Sequence, residues 1–570
     1  MAKEKMMFTD LKDMLNQTEE MYKDRPAFKF KTEKSGESRI ITHKEYREQI
    51  KALGTALVDL GLQGERIAVI SENRYEWGLA YLAVATGTGV VVPLDRALPP
   101  NEIESLIERS EVKAIFYSNK YDEAMDSIRE AGKSKIKYFI SMDLSEKTGD
   151  VYSQKELLEK GRKLIESGDR RFIDSKIDSE KMGIMLFTSG TTSMSKAVML
   201  SHKNIVTNIM DIRASFELNE TDTLLSFLPL HHVFECTAGF LYAISIGASI
   251  AFSAGAKHIA DELKEYEITA MISVPAVFDI MYRKLLKGIE KKGKSETVKK
   301  GIKISQALLK LNIDIRKKLF NEIHANLGGK LRFLVAGGAA LDPETEKGFR
   351  ELGFNLLQGY GLTETAPVVA VGLTKCRKLG SIGKKFPSLD VKIAEPNEEG
   401  VGELLVKGPN VMLGYYKNEE ATKEAIDSEG WFHTGDLARI DKDGFIFITG
   451  RKKNVIVLQN GKNIYPEEIE ILINKVDGIK ESMIYGMPED GDLTISAKIV
   501  YDEVSMKELH NLDNEEKIEE FINEEIKKIN KTMPAYKYIR NIIITEEELI
   551  KTTTLKIKRH EEMKKILNSK

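Results

Sequence analysis

Apolar positions change spacing along the chain, and that change predicts its elements. Tyr46, Ile50, Leu53, Leu57 and Leu60 recur at helical spacing behind the capping-box pattern Thr42-His-Lys-Glu45. Short apolar runs at 66–71, 90–94, 114–117 and 137–140 read as strands, and helical stretches fall between them. A second series follows. Strands are expected at 183–187, 224–230, 248–252, 270–274, 331–335 and 355–358, with a helix over 203–216. Strands alternating with helices predict an α/β fold, a large N-terminal domain of two parallel-type sheets covered on both faces.

Past about residue 375 the pattern shortens to β-like pieces at 389–393, 402–407 and 445–449, with frequent Gly and Pro. This predicts a small β-rich subdomain. A charged strand-and-helix segment of roughly domain length runs from Lys453 to the end and is expected to be a small α+β domain.

Several predicted strands end in Gly-rich or polar loops. Ala336-Gly-Gly338 follows one, and Gly359-Tyr-Gly-Leu-Thr-Glu364 follows another. In an open α/β sheet ligands collect at the carboxyl ends of strands, so these loops are expected to line one crevice. The strand at 183–187 runs into Thr188, Ser189, Gly190, Thr191, Thr192 and, after three more residues, Lys196. Hydroxyls, a glycine and a cation after a strand suit a phosphate cradle. A P-loop needs glycine directly before its lysine and Ser or Thr directly after it. Ser195 and Ala197 stand there instead, which counts against a P-loop NTPase.

Composition narrows the classes. Of 570 residues 42% are hydrophobic and 30% charged, as in a globular protein with a sizeable core. Lys plus Arg total 85 against 88 Asp plus Glu, a net charge of −3, so no global attraction to nucleic acid is expected. Cys236 and Cys376 are too few for a disulfide framework or a four-thiolate zinc site, which points to a reducing cytoplasm. The first ten residues lack an apolar signal-peptide core. The apolar stretch 233–256 contains Glu235 and is expected to break at Gly247 into a helix and a strand rather than span a membrane. Between 287 and 303 seven lysines face only Glu290 and Glu296. A solvated helical excursion is expected there, with peripheral contact to anionic lipid through Lys287 to Ile323 as the other reading.

The ordered motifs resemble the adenylate-forming superfamily of acyl-CoA synthetases, luciferases and adenylation domains. Thr188-Ser-Gly-Thr-Thr192 with Lys196 and Leu200-Ser-His202 resembles its phosphate signature. Leu228-Pro-Leu-His-His232 resembles its acid-pocket motif, and Gly359 to Glu364 its adenine and magnesium motif. Trp431-Phe-His-Thr-Gly-Asp436 resembles its ribose motif, Gly450-Arg-Lys-Lys453 with Asn463 to Glu470 its hinge, and Pro534-Ala-Tyr-Lys537 with Lys551 to Arg559 its last two. The motifs run through nearly the whole chain.

The resemblance implies a large domain over 1–450 and a small mobile lid over 451–570, hinged near Lys453. It implies ATP and Mg²⁺, with CoA as co-substrate and a fatty acid as acyl donor. Thr188, Ser189, Gly190, Thr191, Thr192 and Lys196 would cradle the phosphates. Glu364 would hold the metal, Thr363 would lie beside the phosphate, and Gly359, Tyr360 and Gly361 would receive the adenine. Asp436 would accept from the ribose hydroxyls, with Arg451 near ribose or phosphate. His232, Val233, Gly337 and Gly338 would line the acyl pocket. His231 and His232 are not expected to bind metal, because no ligand cluster accompanies them in sequence. Lys556 would bridge carboxylate and phosphate, then swing away while residues 455–462 help form a thiol tunnel.

The long-chain fatty acyl-CoA synthetase branch is resembled in the run to Glu235, in the insert ending Gly328 to Val335, and in Leu458-Gln-Asn-Gly461. An aryl-acid or acyl-carrier-protein ligase is the enzyme alternative, and an ATP-binding regulator without adenylation the non-enzyme one. The chain departs from the pattern at Ser193, Ser195 and Ala197, and at Ile550 and Leu555. Two lost glycines are expected to limit the loop's access to positive φ.

Overall fold

The structure is a computed structural model that describes residues 6–31, 38–188, 195–458, 462–489, 492–552 and 557–568. Its contacts define two compact units. The first is drawn from Met1–Thr188, Ser195–Asp390 and Val406–Phe432, and the second from Val391–Leu405 and His433–Lys570.

The first unit holds two mixed sheets. In the eight-stranded one, Met182–Thr188, Val90–Pro93, Arg66–Ile70, Ala114–Tyr117, Tyr138–Ser141 and Val151–Ser153 run parallel. Lys196–Ser201 and Gly414–Tyr415 complete it as antiparallel edge strands. In the nine-stranded sheet six neighbours are parallel: Asn355–Gly361, Phe333–Ala336, Ala270–Ser273, Thr223–Ser226, Ser249–Phe252 and Pro26–Lys31. Val368–Val371 with Lys384–Lys385 at one end, and Ser38–Thr42 at the other, are antiparallel. The α/β expectation holds, with the correction that both sheets have antiparallel edges. Lys196–Ser201, for which the sequence predicted no strand, is one because Ala197, Val198, Leu200 and Ser201 are buried against its hairpin partner.

The capping box at Thr42 forms as expected: Glu45 N–H donates to the threonine hydroxyl, and Thr42 N–H donates to the Glu45 carboxylate. The helix it starts, His43–Asp59, packs with Tyr75–Ala83 against the second sheet through buried aromatics. Phe28 meets Tyr46 edge-on at 4.6 Å, and Trp77 meets Phe240 edge-on at 6.5 Å. Such pairs contribute about 0.5–1.5 kcal/mol each beyond area burial.

The apolar stretch at 233 forms a π-helix, Phe234–Leu241, then Tyr242–Ser245, and breaks at Gly247 as expected. Gly247 has φ +72, and a Cβ there would fall 2.4 Å from the Tyr22 ring. Among the described residues no helix is long and apolar enough to cross a membrane. The lysine-rich excursion is four helices, Pro275–Lys291, Ser295–Leu309, Arg316–Leu319 and Asn321–Asn326. Phe278, Leu285, Ile289, Phe320 and Ile323 anchor them to the core around Leu334 and Leu356.

The second unit carries the sheet of Asp390–Ala394, Gly402–Lys407, Phe432–Ile440 and Ile446–Arg451, in that order. It also carries a three-stranded sheet, Ile479–Glu489, Asp492–Tyr501 and Asn541–Thr545. Helix Glu515–Asn530 buries Ile518, Ile522 and Ile526, one stripe at i, i+4 and i+8, in the core under that second sheet.

Candidate functional site

In the first unit the candidate residues follow the carboxyl ends of parallel strands of the nine-stranded sheet. His231 and His232 follow Thr223–Ser226, and Gly337 and Gly338 follow Phe333–Ala336. Asn355–Gly361 runs through Gly359 and Tyr360 into a short 3-10 turn at Thr363–Thr365.

Thr188 and Lys196 are paired in register across the hairpin, with the threonine hydroxyl 3.4 Å from the Lys196 carbonyl. Ser189, Gly190, Thr191, Thr192 and the departure at Ser193 lie outside the described residues. Ser195 is gripped by Arg109, which donates to its carbonyl at 2.5 Å and its hydroxyl at 3.1 Å. Ala197 sits in the ladder opposite Phe187, accepts from Tyr416 N–H, and has no positive φ. The expected conformational loss at Ala197 is therefore corrected: ordinary strand backbone there needs no glycine.

The Lys196 ammonium lies 4.7 Å over the ring of Tyr415. The Tyr415 hydroxyl donates to Oε1 of Glu364 at 3.0 Å, and Met412 N–H donates to the Glu364 carbonyl at 2.8 Å. Burial, and then the Glu364 charge, push the Tyr415 phenol well above its ordinary range, so it stays a donor. One edge strand thus ties the lysine of one sheet to the carboxylate of the other. The turn that presents Glu364 is fixed by Asn410, whose amide donates to Thr365 O at 2.7 Å. Gly361 has no substitute, since a Cβ would stand 1.9 Å from the Pro367 carbonyl oxygen. Gly338 has φ +85, and Gly337 lies under the Phe234 ring, which a Cβ would approach to 2.8 Å.

The loop carrying the two histidines is clasped from both sides. Asn73 donates to Leu228 O at 2.7 Å and accepts from Leu230 N–H at 3.1 Å. Glu235 on the π-helix is 1% exposed and accepts from the Ser226 hydroxyl and the Leu228 N–H. Burial outweighs those bonds and pushes its carboxyl up to about 8. Asp95, just past Val90–Pro93, brings Oδ1 within 3.2 Å of Nε2 of His231. The rings of His231 and His232 lie 4.2 Å apart.

Within the second unit Asp436 and Arg451 are cross-strand partners, joined at 2.8 Å from Nε to Oδ1. Beneath them Glu403 accepts from Gly435 N–H at 3.1 Å and from Lys452 at 2.9 Å. Burial raises the Glu403 carboxyl, but Lys452, Gly435 and His433 together hold it below its ordinary value. Lys453 lies in a 3-10 turn, Lys452–Asn454. Lys556 lies outside the described residues, as does Leu555.

Both flanks of that segment are anchored. Lys551 pairs with Glu481 at 3.0 Å, and Arg559 grips Glu470 through two contacts of 2.7 and 2.6 Å. Ile550 stands where the resemblance has proline, and its backbone makes a bond that proline could not. Its N–H donates to the buried Glu562 at 2.6 Å, and proline has no N–H to give.

Sequence reasoning missed Tyr415, Glu403, Asn73 and Asp95. Tyr415 follows the short apolar run Val411-Met412-Leu413-Gly414, Asp95 lies 136 positions before His231, and neither stretch carries a local motif.

The pattern of a family described as AMP-binding enzyme matches residues 15–416. The chain is 29% identical over 462 residues to the long-chain-fatty-acid–CoA ligase FadD15 of Mycobacterium bovis, covering 78% of this chain and 75% of that protein. It is 30% identical over 478 residues to the peroxisomal long chain acyl-CoA synthetase 6 of Arabidopsis thaliana, covering 79% and 67%. Among solved structures, anthranilate CoA ligase AuaEII in complex with anthranoyl-AMP superposes with a TM-score of 0.78 at 18% identity, covering 99% of this chain and 98% of that one. At that identity the likeness carries the fold.

Proposed function

Because the chain belongs to the AMP-binding enzyme family, we propose that it is an ATP-dependent fatty acid–CoA ligase. In the first half-reaction a fatty carboxylate oxygen attacks the α-phosphorus of ATP, and pyrophosphate leaves. In the second a CoA thiol attacks the acyl-adenylate carbonyl, loses its proton, and AMP leaves. The observation that carries the reading is the Lys196–Tyr415–Glu364 chain at the carboxyl ends of the strands. It links a cation to a carboxylate, the two charges that an ATP–metal complex calls for, and that pairing supports the reading. The names of the relatives favour a long-chain acid over an aryl acid or a carrier-protein partner.

Two anions must meet in the first step, so positive charge and N–H donors lower its barrier. Thr188, Ser189, Gly190, Thr191, Thr192 and Lys196 serve the phosphates in this reading, with Thr363 beside them. Glu364 is a half-buried carboxylate, a hard oxygen donor that suits Mg²⁺. Bound there, Mg²⁺ would neutralise phosphate charge. Gly359, Tyr360 and Gly361 take the adenine, and Asp436 with Arg451 the ribose. His232, Val233, Gly337 and Gly338 line the acyl pocket. Lys556 bridges carboxylate and phosphate from a small domain, 451–570, that turns about Lys453 between the two steps. ATP–pyrophosphate exchange tests the reading against acids from short to long chain and benzoate. Exchange with long-chain acids is expected, and none with any acid overturns it.

The same reading places the enzyme in a reducing compartment, where Cys236 and Cys376 stay thiols. It extends the Lys287 to Ile323 contact to an anionic lipid surface that supplies the acid. Ile280, Arg283, Lys284, Lys287 and Lys291 share the solvent face of Pro275–Lys291, opposite Phe278, Leu285 and Ile289. Lys299, Lys300, Lys303 and Ile304 are exposed on the next helix. Basic residues with exposed apolar side chains suit a headgroup layer.

A further inference from the structure

The histidine pair that sequence spacing left without a third ligand has one in three dimensions. A carboxylate oxygen of Asp95 and ring nitrogens of His231 and His232 lie within 4.8 Å of one another. It is the only such group of His, Cys, Asp or Glu among the described residues. The three residues come from loops at the carboxyl ends of strands in the two different sheets.

The contact between Asp95 and His231 has an unusual form. Nε2 of His231 is 3.2 Å from Oδ1 of Asp95, yet it is buried and makes no hydrogen bond. The His231 side chain is 6% exposed, so water does not relieve it. A buried polar atom without a hydrogen bond bears its full desolvation cost, so such atoms are rare in native proteins and a bound ion is one of the things that explains them. Two ligands on one tetrahedral Zn²⁺, each bonded at about 2.0–2.1 Å, stand about 3.3 Å apart. The observed separation matches that edge, and the missing N–H alignment is what two lone pairs aimed at one cation would produce.

We propose that Asp95, His231 and His232 form a transition-metal site of the His₂-carboxylate kind, suited to Zn²⁺. Imidazole and carboxylate are borderline and hard donors, and three protein ligands leave a fourth position open. The turn that carries both histidines is held by Asn73 and Glu235. The site is distinct from the Glu364 position proposed for Mg²⁺, which offers oxygen alone. If His232 also borders the acid pocket, as the proposed function has it, Zn²⁺ there excludes the fatty acid and inhibits the enzyme reversibly. That consequence rests on the ligase reading, and metal binding does not.

The test is Zn²⁺ titration of the full-length, chelator-treated protein against a chromophoric chelator. One equivalent is expected to bind, and to bind at least tenfold more weakly in Asp95→Ala and in His231→Ala. Cys376→Ser should leave it unchanged, which excludes the partly exposed thiol. Co²⁺ in place of Zn²⁺ should give d–d bands without thiolate charge transfer. Asp95→Asn keeps the side-chain size and loses the charged ligand, and ATP binding by each variant shows that it has folded. No bound equivalent, or equal affinity in folded Asp95 and His231 variants, overturns the proposal. An equivalent lost in those variants upholds it even if no acid supports pyrophosphate exchange.

Discussion

Tyr415 holds Glu364 by a single hydrogen bond of 3.0 Å, and its ring carries Lys196 on the other face. The pair orients the carboxylate without neutralising it, since burial keeps the phenol protonated. Tyr415→Phe keeps the ring and removes the donor. A hydrogen bond to a charged group is worth about 1.5–3 kcal/mol, so apparent MgATP affinity should fall about tenfold or more. Steady-state kinetics at saturating acid, with Mg²⁺ titrated, check this. An unchanged Mg²⁺ dependence would remove Tyr415 from the metal-positioning role.

Lys556→Ala should abolish acid-dependent pyrophosphate exchange and leave thioester formation from supplied acyl-adenylate near its normal rate. The two half-reactions place different demands on one cation, and only the first brings carboxylate and phosphate together. Assaying each half-reaction separately decides it, and equal loss of both would refute the assigned role.

Glu235 gives the fold a pH dependence of defined sign. Its carboxyl ionises near 4.5 in the unfolded chain and near 8 when folded. Between those values the folded state holds the extra proton, so stability falls as pH rises through the window. Glu235→Gln keeps the donor and acceptor shape without the ionisation. Its melting temperature relative to the parent should climb between pH 5 and 8, by the equivalent of a few kcal/mol at most, on the order of the shift. Parallel melting curves across that range would contradict the buried, protonated state.

His202 has the opposite sign. Burial lowers its imidazole to about 4, and the ring accepts Leu11 N–H at 3.3 Å. The unfolded histidine takes up a proton first, so stability is lost as pH falls from about 6.5 toward 4. Denaturant midpoints for His202→Gln should depend less on pH in that interval than those of the parent.

Charge reversal at Lys284, Lys287 and Lys291 should abolish sedimentation with vesicles containing phosphatidylglycerol. Solution activity on a short soluble acid should be unaffected. The parent should lose vesicle binding between low and high salt, because headgroup attraction is screened within about 10 Å at 0.1 M. Equal binding to neutral and anionic vesicles would remove the electrostatic role of these lysines.

Long periodic segments were legible in the sequence. The helix behind Thr42 and the parallel strands at 66, 90, 114, 270 and 333 lie within a few residues of their expected places. Apolar runs bounded by turn residues determine them locally. Lys196–Ser201 was not legible as a strand, because its partner and its burial come from elsewhere in the chain. Pro26–Lys31 was missed for the same reason, since it pairs with Ser249–Phe252. Motif residues such as Glu364, Asp436 and Arg451 could be named from local order. Their supports, Tyr415 and Glu403, could not. Asp95 was not legible as a neighbour of His231 and His232, because it comes from the other sheet, 136 positions earlier in the chain.

The strand Pro26–Lys31 has a further effect during synthesis. It leaves the ribosome well before its parallel partner, since Phe28 pairs with Ile250, 222 positions later. At about 5–20 residues per second that partner follows roughly 10–45 s behind, and until then the N-terminal hairpin presents an unpaired edge. The second sheet therefore cannot close domain by domain from the N-terminus, and its assembly waits on the middle of the chain.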